Sequence, residues 1–234
     1  MTKLSVNVNK IATLRNARGQ NTPNVELVTE SILGFGADGI TIHPRPDERH
    51  IRYADILPIS TLVNNKAELN IEGFPSEKFL KMVFKIKPDQ VTLVPDSPDV
   101  LTSLNGWNVR KYRNMLKCVV SDLQKNNIRV SVFVHPELDV VKEVAEINAD
   151  RIELFTGIYA DENKTIDAYV ECSEYAHNAG IGVNAGHDLD LNNLPFFISN
   201  MPFLDEVSIG HALISESLFL GLEKTIKLYK EILT

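Results

Sequence analysis

A chain of 234 residues, 44% hydrophobic and 24% charged, can bury one large core, and α/β barrels commonly reach this size as a single domain. A formal charge of −7 argues against a general nucleic-acid or membrane-surface binder. No apolar run approaches the ~20 residues of a membrane span and the N-terminus carries no apolar signal core, so a soluble, cytoplasmic protein is expected.

Short β-rich runs alternate with longer amphipathic segments from one end to the other. Strands are predicted at 4–7, 39–43, 68–72, 90–94, 129–134, 151–155, 182–185 and 206–209. Between the fourth and fifth, Val109, Tyr112, Leu116, Val119 and Leu123 recur at helical spacing and define one apolar face. Val141, Val144, Ala145 and Ile147 do the same after the fifth. A helix is predicted over 164–179 with Gly180 as its C-terminal cap, and one long helix over 211–233 closes the chain. Eight strands alternating with helices, without a linker, predict one parallel (β/α)8 TIM barrel over 1–234. An open doubly wound sheet is the alternative. It would more often show a glycine-rich first turn, whereas the turn here is VNVNKIATLRNARG, and neither GxGxxG nor GxxxxGK occurs. The segments 8–24 and 95–108 read as enlarged loops over the barrel mouth.

Cys118 and Cys172 fall in predicted helices, outside any CxxC, and read as buried thiols in a reducing compartment. The first nineteen residues hold Lys3, Lys10, Arg15 and Arg18 and no acid, a local positive patch suited to a small anionic ligand.

Polar residues collect where strands end. Asn7, His43, Glu72, Glu153, His187 and His211 all fall there, with Arg45 and His50 shortly after the second strand and Thr102 after the fourth. Catalytic groups of such barrels project from strand C-termini. Two histidines on opposite walls can act as base and acid, and a partly enclosed Glu72 has its charged form desolvated. Each of these residues singly is more often structural, capping a helix or pairing with an arginine; it is their coincidence at one rim that points to a site. His177, mid-helix, reads as a packing residue, and His135 in HPELD as a helix start. NAGH at 184–187 and IGH at 209–211 suit phosphate, the latter leading straight into a helix. Arg45 and Arg49 can hold a second anion, or pair with Asp47 or Glu48. His43, Glu72 and His187 could form an open zinc site, but no ligand pair shares one element, and no metal is expected.

VNVNKIATLRNARG, ADGITIHPRPDERHI, NIE at 70–72, RIELFTG, VNAGH and SIGHALI together resemble the pyridoxine 5′-phosphate synthase family, in order, from residue 6 to 214. The resemblance implies a (β/α)8 barrel with extra helices and a transferase of vitamin B6 (pyridoxal phosphate) biosynthesis. Such an enzyme condenses 1-deoxy-D-xylulose 5-phosphate with 3-amino-2-oxopropyl phosphate to pyridoxine 5′-phosphate, phosphate and water. It implies acid–base catalysis with no metal or organic cofactor, two phosphorylated small-molecule partners, and a homo-octamer built from dimers. It assigns His43 and Glu72 as proton acceptors, His187 as proton donor and Glu153 as a transition-state carboxylate. Asn7, Arg18, Gly210 and His211 match positions for the amino-ketone phosphate; Arg45, His50 and Thr102 match positions for the deoxyxylulose phosphate. Arg18 is the arginine that can reach a neighbouring subunit's site.

The chain departs from the family pattern at four places. Asn9-Lys10 replaces the usual Asp-His, Phe155 replaces a histidine, and Asp188 replaces the glycine after the donor. Lys10 keeps a cation for anion contact, and Asn9 and Asp188 fall among the substrate-binding positions. A carboxylate at Asp188 costs phosphate affinity unless it points away or is compensated. Two other readings stay open: a phosphate-handling isomerase or aldolase, which needs a Schiff-base lysine that no later strand end supplies, and a non-catalytic metabolite sensor.

Overall fold

The computed structural model describes residues 1–96, 105–162 and 166–234. In chain order it runs β1 (Lys3–Asn7), α1 (Asn9–Asn16), α2 (Val25–Gly34), β2 (Gly39–Ile42), α3 (Tyr53–Val63), β3 (Glu68–Gly73), α4 (Glu77–Ile86), β4 (Gln90–Leu93), α5 (Val109–Gln124), β5 (Arg129–Val134), α6 (Leu138–Glu146), β6 (Arg151–Phe155), α7 (Gly157–Glu162), α8 (Asp167–Asn178), β7 (Gly182–Gly186), α9 (Leu194–Asn200), β8 (Glu206–Ile209), α10 (His211–Leu220) and α11 (Leu222–Leu233). All eight strands pair in parallel with their sequence neighbours, and β8 closes on β1 through Ser5 opposite Ser208. This is the (β/α)8 barrel, not the open sheet, and the helices beyond one per strand are α1, α7 and one of the closing pair.

Strand alternation sorts the core. One face of each strand carries Leu4 and Val6, Ile40 and Ile42, Leu69 and Ile71, Val91 and Leu93, Val130 and Val132, Ile152 and Leu154, Val183 and Ala185, or Val207 and Ile209; these are buried against the helix ring. The alternate positions fill the barrel with polar groups: Ser5, Thr41, Asn70, Gln90, Thr92, Ser131, Glu153, Asn184, Glu206 and Ser208 are all buried. Such groups are costly in a closed interior unless hydrogen-bonded, and most of these are, Gln90 Nε2 and Ser131 Oγ being the exceptions among the described residues. Ser5 Oγ lies 2.7 Å from Thr41 Oγ1, Asn70 Nδ2 donates to Thr41 Oγ1 at 3.3 Å, and Thr92 Oγ1 lies 3.1 Å from Asn70 Oδ1. Lower in the barrel, Arg129 binds Glu68 and donates to Gln90 Oε1 at 2.9 Å, and Arg151 donates to Asn184 Oδ1 at 2.8 Å.

Several expectations need correction. The segment after β1 is not all loop: residues 9–16 form α1, which places Lys10 on a helix. The closing helix is two helices, broken at Gly221, whose φ of 83° and ψ of 143° lie outside helical space and strain any side-chain-bearing residue. The Gly221 N–H still closes α10 onto Ser217 O at 3.0 Å, and α11 restarts with Thr225 N–H on Gly221 O at 3.0 Å. Cys118 is exposed; only Cys172 is buried. The helix expected from residue 164 starts at Asp167, Lys164 lying outside the described residues, and it ends as expected, with Gly180 N–H on His177 O. The positive N-terminal patch is dispersed. Lys3 pairs with Glu68 at the opposite end of the barrel, and Arg15 is buried and bound by both guanidinium nitrogens to Asp55 at 2.6 and 2.8 Å. Among the described residues, no helix is long and apolar enough to cross a membrane.

The Arg15–Asp55 pair ties α1 to the start of α3, where Asp55 also accepts from the Arg52 N–H at 2.8 Å. Removing one partner strands a buried charge. Asp55→Ala is expected to cost about 3 kcal/mol in urea unfolding. Adding Arg15→Met to it should restore part of that loss, whereas an uncompensated sum of the two would show that the pair is not coupled.

Candidate active site

The described mouth residues come from strand ends, in an order the alternation dictates. Asn7 ends β1, and its Oδ1 accepts from the Asn9 N–H at 3.0 Å. Asn9 Oδ1 in turn accepts from the His43 N–H at 2.9 Å, so Asn9 anchors the backbone of His43 and does not present a charge. His43, just past β2, is buried, with Nδ1 3.7 Å from Glu72 Oε2 on β3. The His50 ring lies 5.9 Å from that of His43, its Nδ1 accepting from the Ile51 N–H at 3.0 Å.

Arg45 is buried and binds Asp96 at 2.5 Å, instead of Asp47 or Glu48. Arg49 does take the expected neighbour, Asp47, at 2.7 Å. Glu153 on β6 is buried beside Thr92, with Oε2 3.2 Å from Thr92 Oγ1. Beyond β7, His187 and Asp188 both adopt positive φ, 89° and 59°, and His187 Nδ1 lies 2.5 Å from Asp188 Oδ2. The His187 ring meets Phe155 edge-on at 5.0 Å. Gly210 caps α10, whose first residue, His211, is exposed; a β-carbon at 210 would come within 3.1 Å of Asn7 Cβ, so glycine lets β8 and β1 close here. Lys10 and Arg18 are exposed, on α1 and in the turn after it. Thr102 lies outside the described residues.

Charge follows from enclosure. Burial, reinforced by Arg45, His50 and Arg49, holds His43 well below the ordinary imidazole range. Burial pushes Glu72 well up, with Glu153 and Asp96 adding to the rise and Arg45 opposing it. Both shifts disfavour an ion pair at the His43–Glu72 contact. Burial and Arg45 also push His50 down to about 4. Glu153 is pushed up to about 7 by burial, against Thr92 and His187, which lower it. Thr92 has one hydroxyl hydrogen, yet its oxygen faces both Asn70 Oδ1 and Glu153 Oε2. That hydrogen serves one acceptor, so a proton on Glu153 satisfies the other contact.

The remaining histidines are accounted for by packing. His177 stacks on Phe203 with ring centroids 3.8 Å apart, and His135 packs edge-on against Phe155 just before α6. Thr92, Asn70 and Asp96 were missed from sequence. Thr92 and Asn70 carried a signal, since each stands two residues before or after another inward polar position; Asp96 carried none. Among the described residues, no group of three or more His, Cys, Asp or Glu side chains is arranged to hold a metal ion.

A closed parallel barrel with buried carboxyls and imidazoles at its C-terminal rim defines the class: a (β/α)8 barrel whose mouth is equipped for proton transfer. Within that class, residues 4–234 match the model of the pyridoxal phosphate biosynthesis protein PdxJ family, and the chain belongs to that family. A relative from Christiangramia forsetii, named pyridoxine 5′-phosphate synthase, is 52% identical over 238 residues, covering 100% of both chains. One of the same name from Parabacteroides distasonis is 53% identical over 98% of each. Among solved structures, thiamine phosphate pyrophosphorylase from Pyrococcus furiosus superposes with a TM-score of 0.65 at 15% identity, covering 100% of this chain and 97% of that one. Phosphoribosyl anthranilate isomerase from Thermotoga maritima superposes with a TM-score of 0.60 at 17% identity, covering 100% and 98%. These two likenesses establish the barrel alone.

A carboxyl whose pKa is raised by folding makes the folded state less stable as pH rises from the unfolded value, about 4.3, to the folded one. For Glu153 that window ends at about 7. Glu153→Gln removes the penalty, so its stability relative to the parent should improve by up to about 3 kcal/mol between pH 5 and pH 8 in denaturant titrations. A stability difference that does not change with pH would mean that Glu153 ionises freely in the fold.

Proposed function

We propose that this chain is a pyridoxine 5′-phosphate synthase, condensing 1-deoxy-D-xylulose 5-phosphate with 3-amino-2-oxopropyl phosphate to pyridoxine 5′-phosphate, phosphate and water. The observation that carries the reading is the His43–Glu72 contact of 3.7 Å, with Glu153 on β6 and His187 just past β7 at the same mouth. Ring closure joins an amine to a ketone, expels water and phosphate, and moves protons at each step. A mouth that gathers several acid–base groups suits that sequence.

The proton inventory sets the roles. Burial disfavours the charged forms of both His43 and Glu72, so the pair starts as an imidazole that can accept a proton and a carboxyl that favours holding one. Glu72 becomes an acceptor after passing its proton to His43, so the two act as one unit. His187 donates to a departing oxygen, and Glu153 supplies a carboxyl that stabilises the transition state. The α10 N-terminus at Gly210 and His211, with Asn7 and Arg18, takes the amino-ketone phosphate through backbone N–H groups and the helix dipole. Arg45, His50 and Thr102 take the deoxyxylulose phosphate, Arg45 exchanging its Asp96 contact for the ligand. Lys10 adds a cation beside His50 and Asp188. We assign it as a cytoplasmic transferase, a homo-octamer built from dimers in which Arg18, exposed on one chain, completes a neighbouring site. The reaction requires neither metal nor organic cofactor.

Purified protein treated with chelator is expected to release phosphate and form pyridoxine 5′-phosphate in equal amounts from the two substrates. Glu72→Gln and His187→Ala should each lower kcat by at least about 100-fold. Binding of both substrates with neither product formed would contradict the assignment and favour a sensor.

A further inference from the structure

His187 and Asp188 are the only adjacent pair among the described non-glycine residues that both adopt positive φ. Such backbone costs of order 1–3 kcal/mol per residue and persists where the surroundings enforce it. Here the enforcement is visible. Thr156 Oγ1 bonds to the carbonyls of Gly186 and His187 at 2.7 and 2.5 Å, Phe155 packs on the imidazole, and Asn193 Nδ2 donates to Asp188 O at 3.0 Å. The turn brings the Asp188 carboxylate onto Nδ1 of the preceding ring at 2.5 Å. Aspartate tolerates this left-handed conformation better than most residues bearing a side chain.

We infer that Asp188 is a positioning residue for His187, its carboxylate taking the Nδ1 hydrogen and leaving Nε2 as the nitrogen that delivers the proton. The inference deepens the proposed function and rests on its assignment of His187 as donor. An ionised carboxylate only accepts, so Nδ1 must carry a hydrogen and the ring's exchangeable proton is confined to Nε2. The His187 bond holds the Asp188 carboxyl below the usual carboxylate range, with His211 and Lys10 acting in the same direction. The titratable and charged groups around the ring are therefore Asp188, Lys10, His211 and Glu153, with His135 on the far side of Phe155. On proton transfer the Nε2–H bond breaks, its electron pair stays on the ring, and the proton goes to the departing oxygen of the substrate. The carboxylate stays ionised throughout.

The test compares the parent with Asp188→Asn and Asp188→Gly, both of which tolerate the observed backbone. It uses 15N resonances of labelled His187 together with the pH profile of kcat. In the parent, neutral His187 should carry its hydrogen on Nδ1. Asp188→Asn, which keeps an acceptor oxygen, should retain that tautomer. Asp188→Gly should lose it. In both variants the high-pH limb of kcat should move down by about 1 pH unit, because the imidazolium loses its anion, with KM for both substrates changed less than kcat. A parent tautomer protonated on Nε2, or a tautomer and profile indifferent to Asp188→Gly, would overturn the inference. A tautomer that follows Asp188 while the kcat profile stays fixed would support the positioning role and remove His187 from the donor step.

Discussion

Thr92 has one hydrogen and two oxygens to satisfy, Asn70 Oδ1 at 3.1 Å and Glu153 Oε2 at 3.2 Å. The interior of this barrel is a chain of such obligations. Asn70 donates onward to Thr41, and Thr41 shares a hydrogen with Ser5. Along this run each polar side chain is shut off from water and each hydrogen has an assigned place, whereas Gln90 Nε2 and Ser131 Oγ, also buried, have no partner among the described residues. A proton on Glu153 lets every link from Glu153 to Ser5 be made. The same enclosure raises Glu72 and lowers His43, because burial penalises either charged form. The protonation states at the mouth are thus set from within the barrel as much as by neighbouring charges.

The lower interior shows the same rule with a different result. Burial and Glu68 push Glu206 up to about 8, with Arg151 and Arg129 opposing. The arginines there are committed to Glu68, Gln90 and Asn184. That end is a structural floor. The mouth differs because its carboxyls face one another and an opening, which leaves their protons available for exchange. The division matches the general separation of barrels into a stabilising N-terminal face and a reactive C-terminal one.

The strands and the rim were legible because strand periodicity is short-range and leaves its mark residue by residue. All eight strands fall within a residue of where apolar alternation places them, and Asn7, His43, Glu72, Glu153, His187 and Gly210 follow from the strand ends. What sequence did not reveal depends on contacts between distant segments. Arg15 looked like part of an anion patch because Asp55, forty positions on, is not marked as its partner. Arg45 has acidic neighbours in sequence, yet the fold brings it to Asp96. The break at Gly221 was hidden because apolar residues continue on both sides of it. Asp188 looked like a threat to phosphate binding, since only the turn geometry directs its carboxylate to His187.

Burial raises both carboxyls beneath the mouth, Glu153 to about 7 and Glu72 well above the ordinary carboxylate range, so both are expected to hold a proton at pH 6. Infrared difference spectroscopy of the parent against Glu72→Gln and Glu153→Gln at pH 6 reads this directly, because a protonated carboxyl has a C=O stretch that a carboxylate lacks. Each substitution is expected to remove part of the protonated-carboxyl band. Spectra in which both substitutions remove only carboxylate absorption would contradict it, and would make the His43–Glu72 contact an ion pair.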